Sequence, residues 1–156
     1  MTLRFPNMAP PLLPRPAGED ADRMMKNDVF ISHAAHDLGA AEAIAAALEN
    51  SNLRCFMTAR DVPAGMDRAA AIIDAIFETR LFLLVHSLHA NRSPQMAREV
   101  QLVHDRHIAV FPLRLDDSPA NANIEFFLRR QSVFCAVPLE PNLPRLVSAV
   151  EARLAA

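Results

Sequence analysis

The chain has 156 residues, the size of one domain, and its 51% apolar and 22% charged residues exclude collagen-like repeats and a coiled coil. A formal net charge of −2 excludes the strongly basic surface that nonspecific binding to nucleic acid or anionic membranes requires. No apolar run reaches the roughly 18 residues of a membrane span, so we expect neither a nucleic-acid nor a membrane partner.

The first segment of the chain is rich in proline. Five of the first sixteen residues are proline, and they interrupt what would be the apolar core of a signal peptide. Both cysteines, Cys55 and Cys135, lie in apolar runs, which is typical of reduced core thiols rather than of a disulfide. We therefore predict a flexible extension over residues 1–26, one domain over residues 27–156 and a cytoplasmic location.

From residue 27 onward, short apolar runs alternate with amphipathic segments, which is the pattern of a parallel α/β sheet. The predicted strands cover residues 28–33, 53–57, 81–86, 108–113 and 132–137. The predicted helices cover residues 37–50, 67–79, 93–106, 122–130 and 143–155. Ser93 and Pro94 suit the N-cap and first turn of the third helix. We expect a flavodoxin-like three-layer sandwich with a five-stranded parallel sheet in the order 2-1-3-4-5.

This topology places a candidate site at the carboxyl ends of the strands. In the order 2-1-3-4-5 the connections reverse between strands 1 and 3, and ligands bind at such a switch point. The loops there, residues 32–37 and 86–93, are polar and rich in histidine. They contain no GxGxxG, P-loop or GxSxG sequence, which argues against a Rossmann dinucleotide turn, a phosphate cradle and a serine hydrolase.

The histidines form three His-x-x-His pairs, which are His33/His36, His86/His89 and His104/His107. No cysteine or cluster of carboxylates completes a ligand set beside them, so we expect no metal. His33 is a candidate for polar contacts to ribose or phosphate. His104 and His107 are expected to end a helix, where a cation suits the helix dipole.

Five segments, taken in order, resemble the TIR (Toll/interleukin-1 receptor/resistance) domain family, and specifically its bacterial branch. Residues 28–37 are similar to the family's first-strand motif, (D)VFISY followed by small residues and Asp. Residues 60–66 resemble the "BB loop" after strand 2, and residues 91–100 resemble the N-x-S-x-W-C-x-x-E segment, with Gln95 at the Trp position. Residues 111–113 match the FP box, and residues 126–128 resemble the segment before strand 5.

The resemblance implies an enzyme that cleaves the nicotinamide–ribose bond of NAD⁺, which is a substrate here rather than a cofactor. The essential glutamate on the third helix of catalytic members corresponds to Glu99. A single carboxylate suffices because it stabilises an oxocarbenium-like ribosyl centre while nicotinamide leaves from a cationic pyridinium. Further substrate contacts are expected from Ser32, His33, Asp61, Gly65, Met66, Ser87 and Gln95.

The resemblance also leaves alternatives open. Water capture of the ribosyl centre gives ADP-ribose, and capture by an adenine nitrogen gives a cyclic ADP-ribose isomer. Family members act in antiphage immune signalling and self-associate through the BB loop, here residues 58–66, and a separate effector protein can sense the nucleotide product. The alternative function is a noncatalytic TIR scaffold that signals by self-association alone.

Overall fold

A computed structural model describes residues 25–129 and 131–156. Its sheet has five parallel strands, namely β1 (Asn27–Ser32), β2 (Cys55–Phe56), β3 (Thr79–His86), β4 (Ala109–Arg114) and β5 (Phe134–Cys135). The strand order is β2-β1-β3-β4-β5, which confirms the predicted flavodoxin-like α/β architecture. Except for its last two residues, the predicted extension over residues 1–26 lies outside the described part of the chain.

Six α-helices connect and cover the strands in the described part of the chain. They are α1 (Leu38–Glu49), α2 (Thr58–Asp61), α3 (Arg68–Phe77), α4 (Pro94–Asp105), α5 (Ala122–Leu128) and α6 (Leu139–Ala155). Single 3₁₀ turns at Ala35–Asp37 and Ala90–Arg92 follow β1 and β3. As the sequence predicts, Ser93 caps α4 by accepting a hydrogen bond from the Met96 backbone N–H, and Pro94 occupies the first turn.

The core has two apolar layers because successive strand residues point to opposite faces of the sheet. In β1, Val29 and Ile31 pack on one side with α1 and α6, through residues such as Ile44 and Leu146. Phe30 packs on the other side with residues of α3, α4 and α5. The predicted stripe of the last helix is confirmed, since Leu146 and Val150 are buried and Leu143, Val147 and Leu154 pack against the same layer.

The two edge strands are shorter than predicted. In β2 the chain turns away after Phe56, because the Met57 N–H donates to the Asp61 carboxylate at 2.8 Å and α2 begins at once. In β5, among the described residues, only Phe134 and Cys135 pair with β4, and the Cys135 carbonyl accepts a hydrogen bond from Arg145 at 2.9 Å. Each edge is therefore only two residues long.

Two other predictions are wrong. The last helix begins at Leu139 rather than at residue 143 and contains Pro144. Pro141 lies in its first turn, where no backbone N–H donor is needed. Cys55 is a buried thiol whose pKa burial raises to about 12, as expected of a core cysteine, but Cys135 is exposed because it lies at the sheet edge.

Candidate active site

A cleft of about 610 Å³ opens at the carboxyl ends of the central strands, where the switch point predicts a ligand site. Its walls come from the end of β1 and the turn after it, from the start of α2, from the first turn of α3, and from the loop that leads into α4. Its size is that of an ordinary small-molecule site.

Glu99 forms part of the cleft wall although it is almost completely buried, with 3% of its surface exposed. One carboxylate oxygen accepts a hydrogen bond from the Ser32 hydroxyl at 2.7 Å, and the other accepts from the Gln95 amide at 3.2 Å. Gln95 lies one helical turn before Glu99 on α4, and Ser32 ends β1, so the carboxylate is held between the helix and the sheet.

Burial raises the pKa of Glu99 above its ordinary value of 4.5, because burial disfavours the charged carboxylate. Hydrogen bonds from Ser32 and Gln95 lower the pKa, as do the nearby Thr58 hydroxyl and the charge of Arg98, but together they do not offset the effect of burial. The Thr58 hydroxyl faces the carboxylate without a hydrogen bond of ordinary geometry to any described residue. The site therefore contains a desolvated carboxylate and, facing it, a hydroxyl donor that makes no such hydrogen bond within the described residues.

Three arginines surround this buried acid. Arg68 opens α3, Arg92 lies in the turn after β3, and Arg98 is on α4 beside Glu99. Within the described part of the chain, no hydrogen bond or ion pair engages their guanidinium groups, and all three residues are exposed. Glu99 is the one acidic residue among those that line the cleft, so the walls favour an anionic ligand.

Four of the predicted site residues meet at this cleft. Glu99, Gln95 and His33 line it, and Ser32 binds the Glu99 carboxylate directly. The His33 ring makes a 2.8 Å contact from Nδ1 to the backbone carbonyl of Ala34, which holds the ring at the cleft wall. Glu99 is buried because β1 and the start of α2, through Ser32 and Thr58, cover this part of its helix.

The other four predicted site residues lie outside the cleft wall. Asp61 accepts hydrogen bonds from the Met57 N–H and from Arg60, which fixes the start of the BB loop. Gly65, at a φ of 88°, and Met66, 58% exposed, lie on the turn that follows. Ser87 is buried and donates to the Asp37 carboxylate, so it joins the loops after β1 and β3. Their substrate contacts remain predictions.

Sequence reasoning missed several residues that line the cleft, namely Thr58, Arg68, Arg92, Arg98 and the pair His36 and His89. Arg92 and Arg98 both lie in the segment of residues 91–100, but Arg68 is distant from them in the chain, so no local motif joins all three. His86, which the sequence places in the polar switch-point segment, is the buried last residue of β3, and burial lowers its pKa. Among residues 25–129 and 131–156, no group of three or more metal-binding side chains is present.

Comparison with known proteins agrees with this topology. A family model described as "TIR domain" matches residues 29–137, which is more than half of the chain. No curated protein sequence matches the chain. In the described part, no helix has the length and apolar character needed to cross a membrane.

Several solved structures have a similar fold. The TIR domain of the Toll-related receptor TRR-2 from Hydra magnipapillata superposes with a TM-score of 0.68 at 19% identity, covering 81% of this chain and 99% of that one. A metazoan TIR-STING receptor from C. gigas in complex with 2',3'-cGAMP gives 0.66 at 20% identity over 81% of this chain and 40% of that one. The TIR domains of the activated Roq1 resistosome, which directly recognizes the pathogen effector XopQ, give 0.55 at 18% identity over 83% and 84%.

Proposed function

Because the chain belongs to the TIR-domain family, we propose that it is an NAD⁺ glycohydrolase or ADP-ribosyl cyclase that cleaves the nicotinamide–ribose bond. TIR domains can be NAD⁺ hydrolases. The observation that carries the proposal is the buried Glu99 carboxylate in the cleft wall, held by Ser32 and Gln95. Burying a carboxylate without an ion pair costs stability, and a desolvated carboxylate in a cleft is a candidate for a functional role.

Glu99 acts on the ribosyl carbon next to the leaving nicotinamide. As the C1'–N bond breaks, its electron pair goes to the ring nitrogen, nicotinamide leaves uncharged, and positive charge develops on the ribose. An ionised carboxylate in a water-poor site stabilises that charge more than it would in water. Water then adds to C1' and loses a proton to give ADP-ribose, or an adenine nitrogen adds to give a cyclic isomer.

The raised pKa of Glu99 fits this role. The carboxylate must be ionised to stabilise the ribosyl cation, and the cationic nicotinamide ribose of NAD⁺ favours ionisation when it enters the cleft. The exposed guanidinium groups of Arg68, Arg92 and Arg98 suit the two phosphates of the dinucleotide. A cleft with one buried acid and three cations thus matches a ligand that is cationic at one end and anionic in its middle.

Self-association belongs to the same proposal. The BB loop, residues 58–66, presents Met66 with 58% of its surface exposed, and an apolar residue at a loop tip suits contact with a second copy. We expect activity that rises with protein concentration, in a cytoplasmic protein of bacterial antiphage defence. Its nucleotide product would act through a separate effector or through loss of NAD⁺.

The test compares NAD⁺ cleavage by the wild type, by Glu99→Gln and by the matched control Glu151→Gln, which alters an exposed glutamate on α6. We expect Glu99→Gln to lower the turnover rate by about 100-fold or more, the effect of losing one preorganised electrostatic group, and Glu151→Gln to leave it unchanged. Chromatography of the products identifies ADP-ribose or a cyclic isomer. Equal rates for the wild type and Glu99→Gln would reject Glu99 as the catalytic residue.

The scaffold function gives a different result. In that case no NAD⁺ turnover occurs at any protein concentration, while dimers or filaments form through the BB loop. Light scattering of the wild type and of Met66→Asp detects the assembly, and the absence of NAD⁺ turnover in the same samples identifies the scaffold function.

A further inference from the structure

A pair of stacked imidazoles lies at the mouth of the cleft. The rings of His36 and His89 have centroids 4.5 Å apart and planes 13° apart, and both residues line the cleft. His36 comes from the turn after β1 and His89 from the loop after β3, so the stack bridges the two sides of the switch point. Each ring covers one face of the other, and both residues are exposed, so a further planar group can reach the pair.

The contact between the two rings is supported by hydrogen bonds that join the two loops, as well as by the side chains themselves. The Ser87 hydroxyl donates to the carboxylate of Asp37, the neighbour of His36 in the chain. The same hydroxyl accepts hydrogen bonds from the backbone N–H groups of His89 at 3.1 Å and Ala90 at 3.2 Å. This network fixes the two loops relative to each other and so sets the spacing of the rings.

The charged side chains around the His36–His89 pair indicate which class of ligand the pair binds. Glu99 is buried in the wall, whereas His36 and His89 are exposed at the mouth. The exposed guanidinium groups of Arg92 and Arg98 also line the cleft. A dinucleotide whose ribosyl end reaches Glu99 and whose phosphates meet these arginines has its second base at the mouth.

We propose that the adenine base of this ligand stacks on the outer face of the His36–His89 pair while Arg92 and Arg98 hold its phosphates. The identity of the ligand rests on the proposed function, but the stacking does not depend on turnover. Stacking on an imidazole needs only the flat face of a base, so it discriminates against ligands that lack one.

The experiment measures binding to the full chain carrying Glu99→Gln, by calorimetry, with NAD⁺, AMP and ribose 5-phosphate as ligands. Adding His36→Ala or His89→Ala is expected to weaken the binding of AMP and NAD⁺ by about 5- to 100-fold, the range found when a stacking ring is removed. Ribose 5-phosphate has the phosphate without the base, so its binding is expected to stay the same. His36→Phe, which keeps a flat ring, is expected to restore AMP binding.

The matched control is His104→Ala, because His104 contacts Phe126 and Phe127 away from this cleft. It is expected to leave all three affinities unchanged. Equal AMP binding in the parent and both histidine variants would overturn the proposal, as would an absence of AMP binding to the parent. A histidine effect equal for AMP and ribose 5-phosphate would also overturn it, since that effect would come from charge.

The proposed function and the stacking proposal can fail independently of each other. If the wild type does not cleave NAD⁺ but AMP binding depends on His36 and His89, the cleft binds adenine nucleotides without hydrolysing them. If cleavage depends on Glu99 but the histidine variants leave the KM for NAD⁺ and the AMP affinity unchanged, the stacking proposal alone is wrong.

Discussion

Thr58→Val is predicted to stabilise the protein. Thr58 is 5% exposed, and its hydroxyl oxygen has no hydrogen-bond partner of ordinary geometry in the described part of the chain. A buried polar group left unsatisfied costs about 1–3 kcal/mol relative to an apolar group of the same shape. Valine has the same branched shape and keeps the stiff side-chain geometry, so the substitution removes this cost without opening a cavity.

The matched control is Thr79→Val. Thr79 is also buried, at 0% exposure, but its hydroxyl donates to the Ala75 carbonyl at 2.7 Å. Losing this bond is expected to lower stability by about 1 kcal/mol. The two substitutions are chemically identical, and the structure predicts opposite signs for them.

Thermal and urea unfolding at pH 7 measure the difference. For a chain of this length, 1 kcal/mol corresponds to roughly 2–4 °C in Tm, so Thr58→Val is expected to raise Tm by about 5 °C and Thr79→Val to lower it by about 3 °C. A fall in Tm for Thr58→Val like that of Thr79→Val would refute the reasoning, since it would mean that the Thr58 hydroxyl has a partner in solution.

Two further predictions concern buried charges and have opposite pH dependence. The pKa of Glu99 is raised in the folded state, so the cost of burying its charge is absent below about pH 4.5 and grows as pH rises. Glu99→Gln is therefore expected to raise Tm at pH 8 and to leave Tm nearly unchanged at pH 4. Burial alone would raise the pKa of Asp28, but hydrogen bonds and charge from Arg54, with a hydrogen bond from Arg80, lower it below its ordinary 3.8. Its stabilisation is therefore present above pH 3.8 and lost as pH falls, so Asp28→Asn is expected to cost about 1.5–3 kcal/mol at pH 7 and much less at pH 2 by urea unfolding. For either variant, a change in stability that does not vary with pH would contradict the pKa shift assigned to that residue.

The sheet could be predicted from the sequence because buried parallel strands are near-continuous apolar runs, and β1, β3 and β4 are found close to their predicted limits. The two edge strands were also predicted, but their short length and the presence of α2 could not be. A four-residue helix is too short to show a helical period, and its position depends on Asp61 binding the Met57 N–H.

The candidate site was predictable to the same extent. The five segments that resemble the family, taken in order, single out Glu99 as a candidate, and the N-cap pattern at Ser93 predicts its helix. The depth of its burial depends on Ser32, which is 67 residues away in the chain, and no local pattern encodes that contact. The ring of arginines and the His36–His89 stack likewise form only when separate loops meet at the switch point.

The two-residue edge strands have a consequence for any assembly of this domain. Neither β2 nor β5 presents a row of backbone donors and acceptors long enough to pair with a strand from another molecule. An assembly of the kind proposed above would therefore be joined through side chains on loops and helices. Contacts of that kind dissociate on dilution or when surface charge changes, so the assembly would be reversible, unlike a cross-β fibre.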